Sequence, residues 1–122
     1  MASEVEAGAK QSPRETGIAS RRLATTLDVL IIGAGPAGIA AALELRKIGI
    51  DNVIIAERET EAGGIPRMCG HIGFGLSDLH RVMTGPAYAR KYREMAGKAG
   101  INILTSTTIT DWDAAGTAAC AR

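Results

Sequence analysis

The stretch that decides the fold is Asp28-Val29-Leu30-Ile31-Ile32-Gly33-Ala34-Gly35-Pro36-Ala37-Gly38. Asp28 to Ile32 is a short apolar run, as expected of a parallel strand covered on both faces. G-x-G-x-x-G follows at once, at Gly33, Gly35 and Gly38. From Pro36 to Ile48 the pattern becomes helical, and proline suits the first turn because its missing N–H would have no helical partner. Ala37, Ala41, Leu45 and Ile48 are expected on one face, with Glu44, Arg46 and Lys47 more exposed and Gly49 as the stop. Val53-Ile54-Ile55-Ala56 reads as a second buried strand. Together these segments make a right-handed βαβ unit of about 30 residues.

The glycines have separate tasks. A dinucleotide pyrophosphate carries two negative charges close together, and a helix N-terminus offers unpaired N–H groups and a partial positive charge. Gly33 permits the tight turn out of the strand, Gly35 lets the phosphates approach the backbone, and Gly38 lets the helix pack against the strand. Pro36 and Ala37 complete that turn. Glu57 stands 24 positions after Gly33, at the tip of the second strand, where it should accept hydrogen bonds from the adenosine ribose. An acid there repels a 2′-phosphate, which argues against NADP. Arg58 is either a flanking residue near the adenine or a solvated charge. The glycine loop by itself admits FAD or NAD.

Bulk properties bound the rest. With 122 residues the chain is at most one ordinary domain. Its net charge of +1 gives no electrostatic support to a nucleic-acid or anionic-membrane role. Aromatics are 3% against 46% hydrophobic residues, so the core must come from Ala, Ile, Leu and Val. Cys69 and Cys120 lie 51 residues apart without metal spacing, which points to a reducing cytoplasm. No apolar run is long enough for a transmembrane segment. Arg21-Arg22 is not an export signal, because the apolar run after it contains Asp28 and enters the glycine loop.

Residues 1–26 lack period and large apolar side chains, and are expected to be a disordered leader; order is expected over residues 27–122. Arg58 to Phe74 reads as a loop with a short helical turn. Ser77 is expected to cap a brief helix through Met83. Thr84 should cap a second helix carrying Tyr88, Tyr92 and Met95 on one stripe, ended by Gly97 and Gly100. Ile101 to Leu104 reads as a third parallel strand and Thr107 to Trp112 as the start of an antiparallel excursion, before a patternless tail from Asp113. Trp112 is expected to cover a strand end, Cys69 to pack, and His80 to lie on the surface. His71 is expected to hydrogen-bond loop backbone, with a contact to flavin or substrate as the alternative.

Glu57-Arg58 followed by Gly63-Gly64 resembles the FAD-binding amino end of the two-dinucleotide-domain flavoprotein oxidoreductases. Gly63-Gly64-Ile65-Pro66-Arg67-Met68-Cys69-Gly70-His71 is narrower. With Leu79-His80-Arg81 and Thr84 to Arg90, it resembles the FAD subunits of bacterial opine oxidases, cyanide synthase and proline or hydroxyproline dehydrogenases. The resemblance covers about Asp28 to Asp111, and departs from the family at Met68, where a histidine is common. It implies oxidation of an amine or imino-acid carbon with hydride passing to FAD, and partner subunits that carry the electrons away. It places Gly33, Gly35, Gly38, Glu57 and Arg58 on the ADP moiety, and Gly63, Gly64 and Arg67 on the path to the flavin ring.

The expected fold is thus α/β, a Rossmann-like FAD-binding βαβ region with a parallel sheet and an antiparallel excursion at its C-terminal end. A complete flavoprotein of this kind is longer, so a truncated amino-terminal portion, inactive in isolation, is expected. A non-catalytic dinucleotide-binding remnant and a fragment of an NAD-dependent dehydrogenase are the alternatives. Gly63-Gly64 counts against the latter, as does the absence of a lysine four residues after Tyr88 or Tyr92. No catalytic residue is assigned.

Overall fold

The computed structural model describes residues 26–122, so the expected leader lies outside the described residues apart from its last position. Strand β1 (Val29–Ile32) leads into helix α1 (Pro36–Lys47) and strand β2 (Val53–Ala56). A 3₁₀ turn (Ile65–Met68), β3 (Ile72–Phe74) and β4 (Met83–Thr84) precede helix α2 (Gly85–Lys98). Strands β5 (Asn102–Leu104), β6 (Thr108–Trp112) and β7 (Ala118–Ala121) follow.

The main sheet has the order β1-β2-β5, all parallel. Its register pairs Ile32 with Ala56 and Ala56 with Leu104, so three carboxyl ends open on one side. All four residues of β2 are buried, as its central place requires. Val53 and Ile55 share one core with Ile39 and Ala42 of α1 and Tyr92 and Ala96 of α2. The two helices therefore cover the same face of the sheet.

Helix α1 is rotated from its expected face. Ile39 and Ala42 are buried, whereas Ala37 and Ala41 are exposed and Ile48 is 72% exposed. Arg46 is also more enclosed than expected. Its guanidinium donates to the carbonyl of Ala99 at 2.9 Å and pairs with Asp51 at 2.8 Å, tying the end of α1 to the end of α2. The longer apolar side chains Ile39, Leu43 and Leu45 set the packed side, and small alanines carry little weight in that choice.

Helix α2 begins where predicted, with the Thr84 hydroxyl accepting from the Ala87 N–H. The brief helix expected from Ser77 to Met83 does not form. The Gly75 carbonyl instead accepts from the N–H groups of Leu79 and Arg81, and Met83–Thr84 pairs antiparallel with β3. Asp78 Oδ2 accepts hydroxyls from Tyr88 at 2.5 Å and Tyr92 at 2.6 Å. These long-range partners hold the segment against α2 and outweigh a local cap. His80 is exposed, as expected, but in a left-handed turn. The tail is not patternless, since Ala118–Ala121 returns as β7 beside β6. The residues of β7 are small, which leaves no side-chain period to read.

Candidate functional site

A groove of about 420 Å³ opens at the carboxyl ends of the parallel strands, where ligands of open α/β sheets bind. Its floor is built from the turn between β1 and α1 and from the Gly63-Gly64 turn. Gly33 lies at φ +100°, a backbone state that lets the chain leave β1 sharply. Gly35 is the N-cap of α1, so the N–H groups of Ala37 and Gly38 belong to the unpaired first turn. A β-carbon at Gly38 would lie 2.0 Å from the Gly33 carbonyl oxygen, which is the close helix packing expected of that position. A β-carbon at Gly35 would meet nothing nearer than the Gly64 α-carbon at 3.9 Å. Gly35 thus keeps backbone open to the groove, and Gly38 is needed for assembly.

Glu57 is 6% exposed and still lines the groove. Its Oε2 accepts the Ala34 N–H at 2.7 Å, and its Oε1 accepts the Glu59 N–H at 2.9 Å. The carboxylate therefore braces the glycine turn from the neighbouring strand. Each oxygen keeps a further lone pair for a hydroxyl donor. Arg58 sits on the rim with a largely exposed side chain, paired with Glu59 at 3.3 Å; it is a solvated charge beside the groove.

Arg67 lines the opposite wall. Its guanidinium donates to the Glu61 carbonyl, and its stem crosses Gly63, where a β-carbon would lie 2.9 Å from the Arg67 Cδ. Gly33, Gly35, Gly64, Glu57, Arg58 and Arg67 meet around one groove. Pro36, Ala37, Gly38 and Gly63 stand behind it. The wall of Thr107, Thr108 and Ile109 escaped sequence reading. Thr107 is held there because its N–H donates to the Glu57 carbonyl at 2.7 Å. The signal available was the third parallel strand, whose exit must come out beside the other two.

His71 and Cys69 lie away from the groove lining. His71 Nδ1 is 3.0 Å from the Ile72 carbonyl, and its ring meets that of Phe74, the loop-backbone role expected. The Cys69 carbonyl accepts the Gly85 N–H, and a β-carbon at Gly85 would fall 2.4 Å from that oxygen. Trp112 stays 67% exposed and shares a shallow depression with Ile32, the last residue of β1. The described residues contain no group of three or more potential metal ligands and no helix long and apolar enough to cross a membrane.

The comparisons with known proteins meet this geometry at the glycine turn. The FAD binding domain family matches residues 26–70, from β1 through the Gly63-Gly64 turn and the 3₁₀ segment. By that match the glycine turn is similar to those of FAD-binding domains. Thiamine thiazole synthase of Thermotoga maritima is 54% identical over 39 residues, 32% of this chain and 16% of that protein. The FAD-binding fold also matches thioredoxin reductase of Streptococcus pyogenes, at TM-score 0.60 and 27% identity over 76% of this chain and 29% of that one. L-proline dehydrogenase of P. horikoshii aligns at TM-score 0.59 and 26% identity over 74% of this chain and 17% of its own. The architecture is that of the FAD-binding part of two-dinucleotide-domain flavoproteins. The chain spans about one sixth of the curated relatives it matches, 16% in the first two.

Proposed function

We propose that this chain, as one unit over residues 27–122, is the FAD-binding part of a flavoprotein oxidoreductase that accepts a hydride from an amine or imino-acid carbon. The observation that carries the reading is the joining of Gly35, Gly64 and Glu57 around one groove at the sheet's carboxyl ends. Gly35 and Gly64 leave room for phosphates to meet the backbone, and Ala37 and Gly38 supply N–H donors beyond Pro36. Glu57 receives the ribose hydroxyls on its remaining lone pairs. Arg58 flanks the adenosine end, and Arg67 with Gly63-Gly64 lines the way toward the flavin. The bound cofactor supplies a two-electron acceptor; these residues seat it.

The imino-acid assignment draws on the Gly63 to His71 segment and on the likeness to a proline dehydrogenase. By the same resemblance, electrons leave through partner subunits. In this reading the chain by itself holds the cofactor without turnover.

The test is to purify the chain and record whether flavin absorption travels with it. Bound flavin, lost in Gly35→Val and unbleached by L-proline without oxygen, is the expected result. Uptake of NAD with no flavin would overturn the reading.

A further inference from the structure

Glu61 stands between two arginines. Arg93, on α2, forms an ion pair with Glu61 Oε1 and donates to the Ala62 carbonyl at 3.1 Å. Arg67 stands farther off on the other side, its Nε 3.9 Å from Glu61 Oε2. The carboxylate is thus engaged chiefly by Arg93, and Arg67 is held in place mainly through the Glu61 backbone carbonyl. The two guanidinium side chains are 20% and 31% exposed and the Glu61 side chain 56%, so the arginines are partly shielded while solvent reaches the carboxylate.

Charge around the groove gives this arrangement a consequence. Glu57, Arg58, Glu59 and Arg67 line it, and their formal charges cancel. Arg58 and Glu59 offset each other on the rim. Glu57 is occupied by backbone N–H groups, and Arg67 is the cation beside the glycine floor. Were Glu61 released from Arg93, it would turn on Arg67 and leave the groove negative toward a dianionic pyrophosphate.

We infer that Arg93 is a positioning residue that keeps Glu61 from neutralising Arg67, so that Arg67 presents its charge to the dinucleotide phosphates. This inference rests on the FAD reading of the groove and deepens it. Neither Arg93 nor Glu61 lines the groove, and both act through Arg67.

The test compares ADP with adenosine binding to the whole chain by titration calorimetry, since only ADP carries the phosphates. Arg93→Gln is expected to weaken ADP roughly fivefold and flatten its salt dependence, with adenosine unchanged. The double variant Arg93→Gln with Glu61→Gln should regain wild-type ADP affinity, because nothing is left to neutralise Arg67. Glu61→Gln alone should bind ADP at least as well as wild type. Equal losses for ADP and adenosine, or a double variant as weak as Arg93→Gln, would overturn the inference and leave the FAD reading standing. If the wild-type chain takes up neither ADP nor FAD, that reading falls first and this one with it.

Discussion

Gly64 lies so close to Gly35 that a β-carbon on Gly64 would stand 3.0 Å from the Gly35 α-carbon, while Gly64 itself holds φ +63°. Two turns separated by helix α1 and strand β2 are thereby joined backbone to backbone at the floor of the groove. The contact turns a common glycine motif into a site with two walls.

Glycines of the same motif should fail in different ways. Gly38→Ala drives a β-carbon to within 2.0 Å of the Gly33 carbonyl and is expected to destabilise the fold by about 3 kcal/mol. Gly35→Ala meets only open groove and the Gly64 α-carbon at 3.9 Å, so thermal unfolding of the cofactor-free chain should be nearly unchanged. Its FAD affinity should drop. Melting curves and flavin titration on the two variants separate these outcomes.

Glu57 braces the turn through two buried or part-buried N–H bonds. Glu57→Ala leaves the N–H of Ala34, itself fully buried, without its acceptor, at a cost of about 1–3 kcal/mol. Glu57→Gln keeps one acceptor oxygen and turns an NH₂ toward a donor, so its loss should be smaller than the alanine variant's but still measurable. Denaturant titration of the cofactor-free chain reads both.

The Asp78 cluster predicts a pH dependence. Hydrogen bonds from Tyr88 and then Tyr92 hold the Asp78 carboxyl below its ordinary value. A depressed carboxyl contributes stability above its unfolded pKa of about 4 and loses it as pH falls through the folded value. Burial, followed by the bond to Asp78, raises both tyrosines. Their contribution is present below about pH 10 and is lost as pH rises beyond it. Asp78→Asn should flatten the acid side of a plot of melting temperature against pH, and a profile parallel to wild type would contradict this account.

Arg46 should matter through its carbonyl contacts and not through its ion pair. Arg46→Met releases the Ala99 carbonyl, which it holds at 2.9 Å, and is expected to cost about 1–2 kcal/mol. Asp51→Asn removes a partner whose side chain is 78% exposed and should cost under about 0.5 kcal/mol. Melting temperatures of the two variants make the comparison.

Much of this fold was legible because its first half is governed by local rules. The Asp28 to Ile32 run, the turn at Gly33, the proline at the start of α1 and the buried run at Val53 each have a near-neighbour cause. So does the Thr84 cap of α2. Reading failed where distant partners decide. Ser77 to Met83 had a plausible cap, but Asp78 is claimed by Tyr88 and Tyr92 and Met83–Thr84 by β3. The face of α1 was misjudged because alanines are nearly neutral markers of burial.

By itself, then, the amino-acid sequence determined the βαβ unit, the glycine turn between β1 and α1 and the acid at the end of β2, since each follows from backbone sterics and a short apolar period. Tertiary structure alone decided that Gly64 would meet Gly35, that Glu57 would brace Ala34, and that Thr107 to Ile109 would wall the groove. Those contacts join residues far apart in the chain, and only closure of the parallel sheet brings their strand ends to one side.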